Sequence, residues 1–338
     1  MRKKILFASS KESIFTQPVA ANLKKLGFFV DYFDLSDDFL NNKYFRKLLN
    51  QLPVRFKNKI NGQFQNKINR NLYTRSEKNK IDYLLVIKGK NIKPKTVRQI
   101  SAQGIKTINW FPDAMTNWGS IELLASSYNF FFTYDPYILK KLKEEKGLNN
   151  CYYLPFAANL DKNASLPNKK DYQYDISFLG SYEPGLYDAR VDYLNRLADL
   201  DLHIWGNKNW LKTPLAKFYH GWVKDEEIMQ IYSRSKIVVN IDQQIPEEKG
   251  LNLRPFEATA AGSFLLNDPI KDDIFRLFED GKEVVVFKDA EDLRNKVRYY
   301  LDHEEEREKI ARAGFERTKK EHIYQDRLKQ MFEIVDSN

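Results

Sequence analysis

Short runs of apolar residues recur along the chain, separated by turns and by segments whose apolar residues return every three or four positions. Lys4-Ile5-Leu6-Phe7-Ala8 ends in Ser9-Ser10, Pro18 opens a periodic stretch through Leu26 that stops at Gly27, and Phe28 to Phe33 is apolar again. This reads as strand, helix, strand, the βαβ start of a parallel sheet with helices on both faces. Further strands are expected at Tyr83–Ile87, Lys106–Phe111 and Phe130–Tyr134. The pattern breaks near Tyr152–Asn159, and the polar stretch Asp161–Gln173 with Pro167 marks a boundary. Beyond it, strands are expected at Ile176–Leu179, Leu202–Trp205, Ile237–Ile241, Ser263–Leu266 and Val284–Phe287, and the last fifty residues read as helical. The expectation is α/β: two Rossmann-like, doubly wound domains facing a cleft. The first spans 1–158 and the second 159–320, while 321–338 form a terminal helix packing back toward the first.

A length of 338 residues agrees with two domains that each bury their own core. No apolar run approaches the ~18 residues that a membrane span requires. The start, Met1-Arg-Lys-Lys and the short apolar run Ile5-Leu-Phe-Ala8 followed soon by Lys11 and Glu12, does not read as a signal peptide, so a cytoplasmic protein is expected. The single cysteine, Cys151, excludes an internal disulfide framework and a thiolate metal cluster. The net charge of +9 is unevenly placed: residues 41–80 hold eleven basic residues, from Lys43, Arg46 and Lys47 to Lys80, against one acid, Glu77. With Phe45, Leu49, Phe56, Ile60, Phe64 and Ile68 interspersed, this segment is amphipathic as well as basic. It reads either as a solvated helical face or as a surface for a polyanion, foremost an anionic membrane, which would place the protein peripherally at the inner face. Nucleic acid is the other polyanion such charge suits, but no helix-turn-helix, zinc site or RNA-binding aromatic motif accompanies it.

Ligands of open α/β sheets bind beyond the carboxyl ends of the strands, so chemistry is expected where strands of the second half end. Gly180-Ser181-Tyr182, Gly206-Asn207 and the stretch from Asn240 to Gly262 occupy such places. Small residues at strand-to-helix turns let backbone amides approach phosphate oxygens, although a glycine after a strand is most often only a turn. The strongest constellation is Asn252-Leu253-Arg254-Pro255-Phe256-Glu257, which runs into Ala258-Thr259-Ala260-Ala261-Gly262. Arg254 offers a diphosphate a planar fork of donors, Pro255 suits the first helical position, and Glu257 in the first turn can accept both ribose hydroxyls. The plainer reading is a first-turn acid that favours the helix dipole, beside a surface arginine.

The chain also carries Lys88-Gly89 after a strand, Asn109-Trp110-Phe111-Pro112-Asp113, Phe131-Phe-Thr-Tyr-Asp135-Pro, Tyr153-Leu-Pro-Phe-Ala-Ala-Asn159, Asp175-Ile-Ser-Phe-Leu-Gly-Ser181, Leu277-Phe-Glu-Asp-Gly281 and His322-Ile-Tyr-Gln-Asp-Arg327. In this order, together with Asn252–Gly262, these motifs resemble the CgeB-like, spore-maturation-type glycosyltransferases, relatives of the GT-B enzymes with a "glycosyl transferases group 1" carboxyl domain. The resemblance covers nearly the whole chain. It implies the GT-B fold, a nucleotide-sugar donor, UDP-sugar favoured, held by the second domain, and a glycan, lipid-linked or other polymeric acceptor bound mainly by the first. Glu257 resembles the ribose-binding glutamate and Arg254 the phosphate contact. Gly180 and Ser181 resemble the loop beneath the diphosphate, and Gly206, Asn240 and Asn252 complete the expected donor set. The chain departs from the related group at Lys249, where a glutamate touching the donor sugar stands eight positions before the ribose glutamate. Glu247 and Glu248 lie beside it.

For catalysis two alternatives stay open. An inverting enzyme needs a general base, and since all four histidines lie in the second half, Asp113 is the candidate; its plainer role is a turn or helix cap. A retaining enzyme needs no such base, and Arg254 at the leaving diphosphate then carries most of the catalysis. No Asp-X-Asp follows a buried strand, so cationic side chains rather than a metal are expected to neutralise the diphosphate, with no cofactor beyond the donor. The alternatives to a transferase are a catalytically inactive GT-B scaffold and a polyanion- or nucleic-acid-binding protein, including a DNA-modifying glycosyltransferase.

Overall fold

The computed structural model describes residues 2–36, 51–166, 171–245 and 247–338. The basic positions Lys43, Arg46 and Lys47, and the expected boundary residue Pro167, lie outside the described residues. The chain forms two compact units, Met1–Leu154 with Leu328–Asn338, and Pro155–Arg327.

In the first unit, β1 (Lys4–Ser9), β2 (Phe29–Asp34), β3 (Tyr83–Ile87), β4 (Lys106–Phe111), β5 (Phe130–Thr133) and β6 (Cys151–Tyr153) form one parallel sheet. Its order is β2-β1-β3-β4-β5-β6, so the topology switches between β1 and β3. The five residues of β3, Tyr-Leu-Leu-Val-Ile, are all buried, which is why a continuous apolar run marks this strand. β6 was not expected. It is only three residues long, and its pairing with Phe131–Thr133 rather than its own composition makes it a strand. Phe28 falls outside β2 and instead packs on Phe332, ring centroids 4.5 Å apart. The first helix, α1 (Thr16–Lys25), starts two residues before Pro18, because the Thr16 hydroxyl donates to the Ser10 carbonyl at 2.6 Å and ties the helix to the end of β1.

Helix α2 (Val54–Asn79) carries the described basic segment. Its buried residues, Asn69, Leu72 and Ser76, all lie in the carboxyl half, while Val54 and Phe56 are exposed. The terminal residues belong to this unit through Asp336, which pairs with Lys3 at 3.0 Å and accepts from the Tyr83 hydroxyl at 2.6 Å.

The second unit has β7 (Tyr174–Leu179), β8 (Leu202–Trp205), β9 (Tyr219–Gly221), β10 (Ser235–Asn240), β11 (Phe264–Asn267) and β12 (Val285–Val286). They form a parallel sheet in the order β12-β11-β10-β7-β8-β9, with its switch point between β7 and β10. This is the strand order of a dinucleotide-binding sheet. Between β10 and β11 runs the short helix Arg254–Ala260, and its small residues have a packing reason. A Cβ on Gly314 of the helix Glu304–Glu321 would lie 2.3 Å from the Glu283 carbonyl and 3.2 Å from Thr259, and the Thr259 and Thr318 hydroxyls meet at 2.6 Å.

The motifs around Phe156 and His322 hold one another. Arg327 Nε donates to the Phe156 carbonyl at 3.2 Å, its Nη2 meets His322 Nδ1 at 2.7 Å, and His322 Nε2 meets the Leu277 carbonyl at 2.8 Å. Burial, and then the charge of Arg327, pull the His322 pKa down to about 4, so this imidazole is a neutral structural group.

Candidate functional site

The second unit gathers its polar side chains at the carboxyl ends of β7, β10 and β11. After β7 and β8 the chain passes Gly180 and Gly206, which approach so closely that a Cβ on Gly206 would lie 2.1 Å from the Gly180 carbonyl oxygen. Trp210 Nε1 donates to that same oxygen at 2.8 Å, and Asn207 Nδ2 to the Tyr182 carbonyl at 3.0 Å. Close backbone contact therefore accounts for Gly206, and a Cβ on Gly180 would lie 2.8 Å from the Phe178 ring.

Arg190, buried on the helix Asp188–Asn195, braces the switch point itself. Its Nη1 donates to the Ser181 carbonyl at 2.6 Å and its Nε to the Ile241 carbonyl at 2.9 Å, so one guanidinium ties the loop after β7 to the loop after β10. Burial lowers its pKa from the ordinary arginine range, with the carboxylates of Asp242 and Asp268 acting in the other direction.

Beyond β10 lies a buried network of amides and carboxylates. Asn240 Nδ2 donates to Asn267 Oδ1 at 2.7 Å, Asn252 Nδ2 to Asp242 Oδ1 at 2.7 Å and to Asn240 Oδ1 at 3.1 Å, and the Asp242 backbone N–H to Asp268 Oδ2 at 2.6 Å. Asn252 Oδ1 also accepts from the Arg254 backbone N–H at 2.8 Å, which orients the start of the next helix. Burial pushes the Asp242 carboxyl upward, and burial together with the nearby Asp242 pushes Asp268 up to about 7. Lys271, also buried, supplies the compensating charge: its Nζ lies 3.2 Å from Glu248 Oε2 and donates to the Ile245 carbonyl at 3.2 Å. Of this network only Asn240 and Asn252 were expected. Glu248 was named only as a neighbour of Lys249, and Asp242, Asp268, Lys271 and Arg190 were missed, although Asp268 directly follows the buried strand β11 and Asp242 stands two residues past β10.

Arg254 and Glu257 are brought together as their three-residue spacing implies, Nη1 paired to Oε2 one turn on. The helix begins at Arg254 with Leu253 as its cap, so Pro255 occupies the second rather than the first position. Both side chains stay partly exposed, at 30% and 20%. Lys249 pairs with Asp272 at 2.9 Å, so at this position a salt bridge stands where the related group has its glutamate.

In the first unit, Asp113 Oδ2 lies 2.9 Å from Lys88 Nζ and 3.0 Å from Lys90 Nζ. Lys88 and Gly89 both adopt left-handed backbone, φ 63° and 70°, where β3 ends. For lysine this is a strained conformation, and its place beside the switch point is where functional strain concentrates. Asp113 is thus neither a simple turn residue nor a helix cap: it is the acid that receives both ammoniums.

The two sheets and their flanking helices define a GT-B protein. Comparison with solved structures agrees: sucrose-phosphate synthase from Thermosynechococcus elongatus superposes with a TM-score of 0.66 at 12% identity over 99% of each chain. HepE from Anabaena, solved with UDP and glucose, superposes with a TM-score of 0.65 at 12% identity over the whole of both chains. Residues 190–333 match the family described as "Glycosyl transferase-like". The spore protein CgeB of Bacillus subtilis is 23% identical over 194 residues, 52% of this chain and 58% of that protein, so the match spans little more than half of that relative. Over these spans the chain is similar to CgeB-like glycosyltransferases, in keeping with the resemblance its motifs carry.

Proposed function

We propose that the protein transfers a hexose from a UDP-sugar to a glycan or lipid-linked acceptor, with the second unit as the donor-binding unit. The observation that carries this is the Arg254–Glu257 pair, partly exposed, beside the switch point of a sheet with the dinucleotide-binding order. In this reading Arg254 presents N–H groups to the diphosphate and Glu257 accepts from the ribose hydroxyls, while Arg190 and the network around Asp242 hold the loops they stand on. The UDP in the HepE complex supports uridine as the base. If the reaction retains configuration, Arg254 stabilises the charge that develops on the leaving diphosphate. If it inverts, Asp113 takes the acceptor proton, and Lys88 and Lys90 fix the orientation of its carboxylate. The experiment that tests transfer is mass-spectrometric detection of UDP released from UDP-glucose, with and without an added oligosaccharide; release that no saccharide accelerates contradicts it.

Charge neutralisation by Arg254 makes the proposed reaction independent of divalent metal. Among the described residues no group of three or more His, Cys, Asp or Glu side chains is arranged to hold a metal ion. Activity is therefore expected to survive excess EDTA. Complete loss, restored by Mg²⁺ or Mn²⁺, contradicts this part of the reading.

No described helix is long and apolar enough to cross a membrane. The basic face of α2 is proposed instead to meet anionic lipid, to which each Lys or Arg near the surface contributes about 1 kcal/mol. Co-sedimentation with phosphatidylserine vesicles is expected at low salt and to be lost at high salt or on changing Lys57, Lys59, Lys67 and Arg70 to Gln. Equal sedimentation of that variant identifies the helix as an ordinary solvated face.

A further inference from the structure

Behind the Arg254–Glu257 pair, the network at the ends of β10 and β11 is out of balance in charge. Its carboxyl groups Asp242, Glu248 and Asp268 and its cations Lys271 and Arg190 are all buried. Lys271 pairs with Glu248, while Arg190 donates to the Ser181 and Ile241 carbonyls. Asp273, buried as well, has its own partner in Arg276 at 3.4 Å. Tyr193, on the helix Asp188–Asn195, has its phenol pushed up by burial and then by Asp268, so it stays neutral. Fully ionised, these described groups carry one more negative charge than positive. A buried charge without compensation is costly enough that the group takes a proton instead.

The hydrogen bonds select the carboxyl that takes it. Asp242 Oδ1 accepts from Asn252 at 2.7 Å and its Oδ2 from Asn240 at 3.2 Å. Asp268 Oδ2 accepts from the Asp242 N–H at 2.6 Å and from Gln244 at 3.4 Å, whereas among the described residues its Oδ1 meets only the Ile270 N–H, at 3.3 Å. Amide donors favour the ionised form of a carboxyl, so at Asp242 they oppose the effect of burial, and the proton falls to Asp268.

From Asp268 the hydrogen bonds run unbroken to the helix that carries the pair. Asp268 accepts from the Asp242 N–H, the Asp242 carboxylate from Asn252, and Asn252 Oδ1 from the Arg254 N–H. Charge links the same groups, since Arg254, Asp242 and Asp268 all act on the buried Arg190. An anion placed at Arg254 therefore faces the ionised carboxylates through protein rather than water, and like charges there favour the protonated form.

We propose that Asp268 is a positioning residue of the donor site that holds a proton in the donor-bound state, so that binding of a nucleoside-diphosphate sugar takes up one proton from solution. The proposal rests on the donor-site reading and adds the regulation of that site by pH. The proton passes from solvent to the Asp268 carboxylate, and no bond of the donor changes. Asp268 titrates at about 7 in the absence of donor, so below this pH the proton is already in place and donor affinity is level. Above it, donor binding has to bring the proton in, and affinity falls by up to about tenfold per pH unit.

The test is calorimetric titration of the full chain with UDP-glucose, whose diphosphate bears no proton that titrates near neutrality. Titrations in Tris and in HEPES at pH 8, two buffers with different enthalpies of ionisation, count the protons. Wild type is expected to take up between about a half and one proton per UDP-glucose, and to bind about tenfold more weakly at pH 8.5 than at pH 6.5. Asp268→Asn, which keeps the shape of the protonated carboxyl, is expected to take up none and to bind alike at both pH values. A merely structural Asp268 would lower the melting temperature of that variant and leave the proton count unchanged. If Asp268→Asn does not fold, Asp242→Asn, which removes the surplus charge and leaves Asp268 ionised, is expected to lose the uptake as well. His203→Gln with His220→Gln, at the β8–β9 edge of the sheet, is expected to keep it. The proposal is overturned if wild type binds UDP-glucose without proton uptake, if the histidine variant loses the uptake, or if a folded aspartate variant retains it. Binding without uptake removes the proton linkage alone; failure of wild type to bind UDP-glucose at any pH removes the donor-site reading itself.

Discussion

Arg254→Ala weakens UDP-glucose binding by about ten- to a hundredfold, and Glu257→Ala does the same, while both variants remain folded. Each removes one charge-assisted hydrogen bond to the donor, worth roughly 1.5–3 kcal/mol. The two effects are not expected to add. Arg254 and Glu257 are bonded to each other, so loss of the guanidinium leaves the Glu257 carboxylate facing the diphosphate without its partner, and the Arg254→Ala variant suffers repulsion that the double variant escapes. Calorimetric titration of the two single variants and the double variant supplies the cycle. Unchanged affinity in both single variants removes the pair from the donor site.

The second large effect belongs to the buried network rather than to the ligand. Lys271→Met keeps most of the unbranched side chain but takes the ammonium away from Glu248, 3.2 Å from it, and from Asp242 and Asp268 nearby. Breaking a buried ion pair by removing one partner costs about 3–5 kcal/mol. The loss carries a pH signature. Asp268 titrates in the folded protein at about 7, above the ordinary carboxylate range, so its contribution to stability is present in acid and fades as pH rises through 7. Removing Lys271 pushes this carboxyl further up and deepens the penalty for ionising it. The deficit of Lys271→Met relative to wild type is therefore expected to be larger at pH 8 than at pH 5. Scanning calorimetry at the two values checks this, and a loss below about 1 kcal/mol at both contradicts the picture of a charge-compensated buried cluster.

The sequence makes most strands legible because a parallel sheet covered on both faces selects continuous apolar runs, as in Tyr83–Ile87 or Ile237–Asn240. Two strands escape that signal. Cys151–Tyr153 and Tyr219–Gly221 are three residues long at sheet edges, where neighbours rather than composition decide. In the site, Arg254 and Glu257 are legible because their relation is local, three residues along one helix. The Asp242–Asp268 contact is not local: it follows from the β10–β11 register that sets Asn240 opposite Asn267, and a single sequence does not display register. Arg190 is hidden for the same reason, since its partners Ser181 and Ile241 meet only when β7 pairs with β10. Gly180 and Gly206 were legible as strand-end turns but not as to purpose: Gly206 serves the close approach of the Gly180 backbone.

The central claim, that the second unit binds a UDP-sugar for transfer, is tested most directly by a thermal-shift panel of UDP-, GDP-, ADP- and TDP-sugars on the full chain. A ligand present at 100 times its Kd stabilises the folded state by about 2.7 kcal/mol. The expected result is a saturable rise in melting temperature with a UDP-sugar, larger than with the other bases and abolished in the Arg254/Glu257 double variant. A panel in which no nucleotide sugar shifts the melting temperature contradicts the account.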